Sequence, residues 1–182
     1  MRYALLVATL TLSGLTLPGL AYAAGDNGWN PPKPTETTKT CKGKRVWDPE
    51  KKRCVRPKQS SLNQDELMGA VRELAYAGRN SDAQAVLATL TDQEDDRALT
   101  YWGFTHRKLG HGALAATYYD KAIAQNPDNL LARSYMGQGF VEEGQFGLAL
   151  TQWKEIRARG GANSWPETSL RQALETGVTT SY

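Results

Sequence analysis

The chain has 182 residues, 40% of them hydrophobic, and its 22 Lys and Arg against 19 Asp and Glu leave a net charge of +3. That length holds one domain with a sizeable core and leaves no room for a second large one. No Gly-rich phosphate loop and no partnered Ser, His and Asp set stands in the sequence, so nothing in it points to catalysis.

In chain order, the first segment reads as a secretory signal. Met1-Arg2 supplies a short basic start, Leu5 to Leu20 is mostly apolar, and Ala21-Tyr22-Ala23 has the small-x-small form of a cleavage site. A membrane-spanning helix needs about 20 apolar residues, and this run is broken by Ser13, Gly14 and Pro18. Cleavage after Ala23 is expected, removing residues 1–23 and placing the protein in the periplasm or outside the cell. No cysteine follows the apolar run to carry a lipid anchor.

Residues 24–60 read as a basic linker with a small hairpin. Asp26 to Thr40 is rich in Pro, Thr and Lys and is expected to be extended or disordered. Cys41 and Cys54 are the two cysteines of the chain. An even count in an exported protein predicts a disulfide, and closing a loop of about 15 residues is worth roughly 3 kcal/mol. Zinc is the competing reading, but two cysteines are too few ligands. Val46-Trp47 and Val55 have strand character and Asp48-Pro49 opens a turn, which gives a hairpin outside the helical core.

The charge is concentrated here. Lys44, Arg45, Lys51, Lys52 and Arg53 surround Trp47, with Asp48 and Glu50 opposing them. These cations either keep a small exposed unit solvated or face an anionic membrane or cell-wall polymer. Nucleic acid is not an expected partner for an exported chain. The run Cys41-x-Gly43-x-x-x-Trp47-Asp48, closed by Cys54, resembles a fragment of peritrophin-type chitin-binding modules. That resemblance implies Trp47 stacking on a sugar; packing across its own disulfide is the other reading.

From Ser61 onward a repeat takes over. Leu99, Trp102, Gly103 and His106 fall at helical spacing, Gly110 ends that helix, Ala115, Tyr119 and Ala122 share a stripe, and Pro127 closes the unit. One period later stand Met136-Gly137, Phe140, Gly144, Ala149, Trp153 and Ile156. Upstream is a weaker copy in Leu67, Ala70, Val71, Leu74, Gly78, Ala83, Leu87 and Leu90. This resembles the tetratricopeptide repeat (TPR), a helix-turn-helix unit with a period of about 34 residues. The resemblance implies an all-α solenoid of about three repeats, near 64–95, 96–129 and 130–163, within a domain spanning 61–177. Gly103, Ala115 and Ala149 are small because helix backbones approach there. Asn63-x-x-Glu66 and Ser164-x-x-Glu167 have capping-box form. The second, with Pro166 and Gly177, starts and stops a capping helix near 165–176 whose Leu170, Ala173 and Leu174 cover the last repeat.

The family resemblance further implies a concave face lined by the first helix of each unit: Asp65, Met68, Arg72 and Ala75; then Arg97, Thr100, Phe104 and Arg107; then Leu131, Ser134, Gln138 and Val141. Arg72, Arg97, Phe104, Arg107 and Gln138 are the candidate peptide-binding residues, with Arg72 and Arg107 set to clamp a carboxylate. The reading is an exported, non-catalytic adaptor for a protein or peptide partner. The alternative is a glycan- or anionic-surface-binding protein acting through the hairpin. No cofactor and no metal is expected: His106 fills a packing slot, and His111, five residues on and across a helix end, does not share a face with it. Glu142-Glu143 reads as a solvated face.

Overall fold

A computed structural model describes residues 34–179. The signal-like segment 1–23 lies outside the described residues, as does the linker up to residue 33. Among the described residues there are eight α-helices: α1 Glu36–Lys39, α2 Gln64–Tyr76, α3 Asn80–Leu87, α4 Asp96–Lys108, α5 Gly112–Gln125, α6 Leu130–Glu142, α7 Phe146–Ala158 and α8 Trp165–Thr176. A two-stranded antiparallel sheet, β1 Val46–Asp48 with β2 Arg53–Val55, lies between α1 and α2. None of these helices is long and apolar enough to cross a membrane.

Local chemistry sets the helix ends. The Asn63 side chain accepts from the Glu66 backbone N–H while the Glu66 carboxylate accepts from that of Asn63, a reciprocal cap that opens α2. Ser164 caps α8, Pro166 sits in its first turn, and Gly177 leaves it in the left-handed conformation.

From α2 to α7 each helix packs on the one after it, and α2 also touches α4, as α4 touches α6. Two glycines permit the closest approaches. A Cβ on Gly103 of α4 would stand 2.5 Å from Cε1 of Tyr119 on α5. One on Gly137 of α6 would stand 2.6 Å from Cδ2 of Leu170 on α8. Both are well inside van der Waals contact, so any side chain there must displace its neighbour.

The core centres on rings from α2, α4 and α6. Tyr76, Tyr101, Phe104 and Tyr135 are buried with centroids 4.8–6.4 Å apart. The hydroxyl of Tyr76 bonds those of Tyr135 and Tyr101, so this apolar cluster carries a chain of phenols down its middle.

The N-terminal unit departs from the expected linker. Cys41 and Cys54 form a disulfide, and the hairpin pairs Val46 with Val55, Trp47 with Cys54 and Asp48 with Arg53. The unit is not outside the core, because Val46 is fully buried within it. Thr35–Thr40 is not a free tether either. The Glu73 carboxylate of α2 accepts from the backbone N–H groups of Thr35 (2.7 Å) and Thr38 (2.8 Å) and from both their hydroxyls. A buried anion thus caps the short helix α1 where its N–H groups are unpaired. Arg79 donates to the carbonyls of Cys41 (2.9 Å) and Gly43 (2.5 Å). The Trp47 backbone N–H donates to the buried Thr37 hydroxyl at 3.1 Å. No sequence-local pattern announces the Glu73 and Arg79 bonds, which join residues 35–38 apart.

Candidate functional site

The face implied for peptide binding is closed. Phe104 is 1% exposed and Gln138 is fully buried, as are or nearly are Thr100, Ser134, Met68, Ala75 and Val141. The reason lies in the neighbouring helices. Tyr76 and Tyr135 close over Phe104 from α2 and α6. Gln138 points at Ser134 and Ser169, with α8 over it. Arg97 is exposed but already engaged, donating to Asp95 (2.7 Å) and Asp65 (2.8 Å). Hydrogen bonding to Asp95 and then Asp65 raises its pKa against the effect of burial. Arg72 lies half-buried with its guanidinium 5.7 Å from the Tyr76 ring centre. Asp65 is exposed and Leu131 half-buried.

Arg107 is different. Its side chain is 4% exposed, and Nη1 donates to Glu142 Oε1 at 2.6 Å. Nε and Nη2, the other edge of the guanidinium, complete no hydrogen bond, and neither does the buried Tyr119 hydroxyl beside them. Burial works against the Arg107 charge, but Tyr119 and Glu142 outweigh it and hold its pKa up. Burial pushes the Tyr119 phenol up to about 12, so it stays a neutral O–H donor at physiological pH.

These groups line a cleft of about 200 Å³ between the α4–α5 pair and α6. Gly110, Gly112, Ala115 and Gly139 form small walls, Met136 and Phe140 supply apolar surface, and Glu142 and Glu143 stand at the rim. Arg72 is not among its lining residues, so the structure does not bring the two arginines into one clamp there. Glu142 is not merely a solvated face: it holds Arg107 and accepts from the Thr179 hydroxyl at 2.6 Å. A guanidinium edge with two unused N–H groups, next to an unused O–H, fits a carboxylate held in bidentate fashion. In the sequence, Tyr119 shows only as a packing residue, because its ring does fill the gap left by Gly103.

On the hairpin, Lys44, Arg45, Lys52 and Arg53 are exposed and Trp47 is half-buried. Lys51 pairs with the covered Asp48 carboxylate at 3.2 Å. That carboxylate also accepts from the backbone of Lys51 and Glu50, and the Lys51 N–H foremost holds its pKa below the usual range.

The two histidines also differ from expectation. Gly110, at φ +83°, reverses the chain after α4 and folds His111 back, so His106 Nδ1 and His111 Nδ1 lie 3.3 Å apart. Among the described residues no group of three or more His, Cys, Asp and Glu is placed to hold a metal. Comparison with family models, curated proteins and solved structures finds no match.

Proposed function

We propose that this chain is an exported, non-catalytic adaptor of the tetratricopeptide type, which holds a peptide partner by an acidic group seated at Arg107. One observation carries the reading: a buried guanidinium edge and a buried hydroxyl, both without hydrogen bonds, at the wall of an open cleft. Leaving such donors unmade costs about 1–3 kcal/mol each, a cost that a bound carboxylate removes. The succession of helix pairs with glycine at their crossings supports the repeat assignment. The cleft's size suits a side chain or a chain terminus rather than a long peptide, so the rest of the partner runs over the rim.

The test is selection of random peptides on the intact chain, followed by titration of the enriched sequences. Peptides carrying Asp, Glu or a free C-terminal carboxylate should be enriched. Their addition should shift the NMR signal of Arg107 Nε–H, and Arg107→Gln should weaken them at least tenfold. Equal binding by amidated or Asn/Gln versions would refute the proposal.

A second reading rests on the exposed cations flanking Trp47, which suit an anionic envelope polymer or membrane surface. Co-sedimentation with peptidoglycan, chitin and anionic vesicles, with Trp47→Ala and Lys52→Glu as comparisons, measures it directly. Unchanged sedimentation in both variants would remove it.

A further inference from the structure

We infer that His106 and His111 form a two-histidine site for a first-row divalent transition ion, Zn²⁺ or Cu²⁺. The carrying observation is the approach of two imidazole nitrogens, Nδ1 to Nδ1, at 3.3 Å across the α4–α5 turn. Zinc–nitrogen bonds of about 2.0–2.1 Å at a tetrahedral angle separate two donor atoms by about 3.3–3.4 Å. The pair already stands at that bite. Imidazole is a ligand suited to zinc and copper, and copper(II) heads the divalent affinity order.

The rings are held rather than free to swing. His106 stacks on Tyr118, with centroids 5.5 Å apart and planes 3° from parallel, and on Trp102 at 5.8 Å and 20°. Trp102 and Tyr118 stack in turn on each other, and the Trp102 indole N–H points to Gln93 at 3.4 Å. Two side chains, Trp102 of α4 and Tyr118 of α5, therefore fix the His106 plane. His111 is exposed and is positioned by the left-handed turn at Gly110. Ordered donors lose little freedom on binding, which favours chelation over two independent surface histidines.

Without a metal, one ring can donate its Nδ1 proton to the other. Binding requires both rings neutral with the proton on Nε2, which places both Nδ1 lone pairs in the gap. No third protein ligand joins the pair among the described residues. The ion keeps open positions, filled by water or by a donor from another molecule. The site is therefore one of modest affinity, and it is separate from the Arg107 cleft.

The experiment uses the tag-free chain titrated with Zn²⁺ at neutral pH. Long-range ¹⁵N–¹H spectra of the imidazoles report which ring nitrogen is bound. The expected result is one ion per chain, with Nδ1 of both rings shifting together. His111→Gln, at an exposed position, and His106→Phe, which keeps a ring in the stack, should each weaken binding at least tenfold. Cu²⁺ at the same site should quench Trp102 fluorescence, and Trp102→Phe should remove that part of the quenching. Zn²⁺ affinity unchanged in either variant, or shifts at one ring only, would overturn the inference.

Discussion

The two ends of the helical stack are sealed by different means. At the C-terminal end α8 lays Leu170 and Ala173, both fully buried, against α6 and α7. Its polar contacts follow that apolar seat: Ser134 donates to the Pro166 carbonyl at 2.7 Å, and the Trp153 indole donates to the buried Glu167 at 2.9 Å. The N-terminal end has little apolar surface to offer beyond Val46. It is fastened instead by a disulfide, by the Glu73 carboxylate under α1 and by the Arg79 guanidinium on the Cys41–Gly43 loop. An end of a helical stack can thus be closed by buried area or by a few directional bonds, and the second route serves where a segment is short and charged.

This contrast can be broken from either side. The largest effect should come from Leu170→Ala, since emptying a fully buried leucine site costs about 2–5 kcal/mol. At about 2–8 °C per kcal/mol for domains of this general size, the melting temperature should fall by at least about 4 °C, and amide exchange should rise first along α8. An unchanged melting curve would mean that α8 does not carry this end. Next is the pair Cys41→Ala with Cys54→Ala. Loss of the staple removes roughly 3 kcal/mol of loop constraint. Because Val46 belongs to the main core, the loss should reach the melting temperature as well as the exchange protection of Val46 and Trp47. Smaller again is Glu73→Gln, which keeps the size and one acceptor but removes the charge. A charge-assisted bond is worth about 1.5–3 kcal/mol, so Thr35 and Thr38 amides should lose protection while α4 to α8 keep theirs.

The same contrast marks what the sequence reveals. The helical build, the hairpin and the disulfide follow from periodicity, β-branched residues and an even cysteine count. The tight crossings follow from glycine: Gly103 and Gly137 stand out because a large residue is missing where the period demands contact. The closed state of the implied groove does not follow. Whether Phe104 is exposed depends on Tyr76 and Tyr135, each about thirty residues away, and on how far their helices lean together. The role of Glu73 is hidden for the same reason, since a carboxylate on α2 gives no local sign that it serves a helix 35 residues upstream. The place of His111 does not follow either, because helical spacing describes residues on one helix, whereas the Gly110 turn brings the pair together across two. Repeat position points to Arg107, but its partners Tyr119 and Glu142 come from other helices.

The buried phenols set a limit at the alkaline end of the pH scale. Burial holds the Tyr101 pKa well above the usual value of 10 and that of Tyr119 near 12. Unfolded, both would ionise near pH 10. Below that pH the folded and unfolded chains hold these protons alike, and stability is fully retained. Above it the unfolded chain sheds them while the folded chain keeps them, so stability falls as the pH climbs toward the folded values. The ultraviolet band of their phenolates should therefore emerge together with the loss of helix and not ahead of it, so that strong alkali opens this core from within.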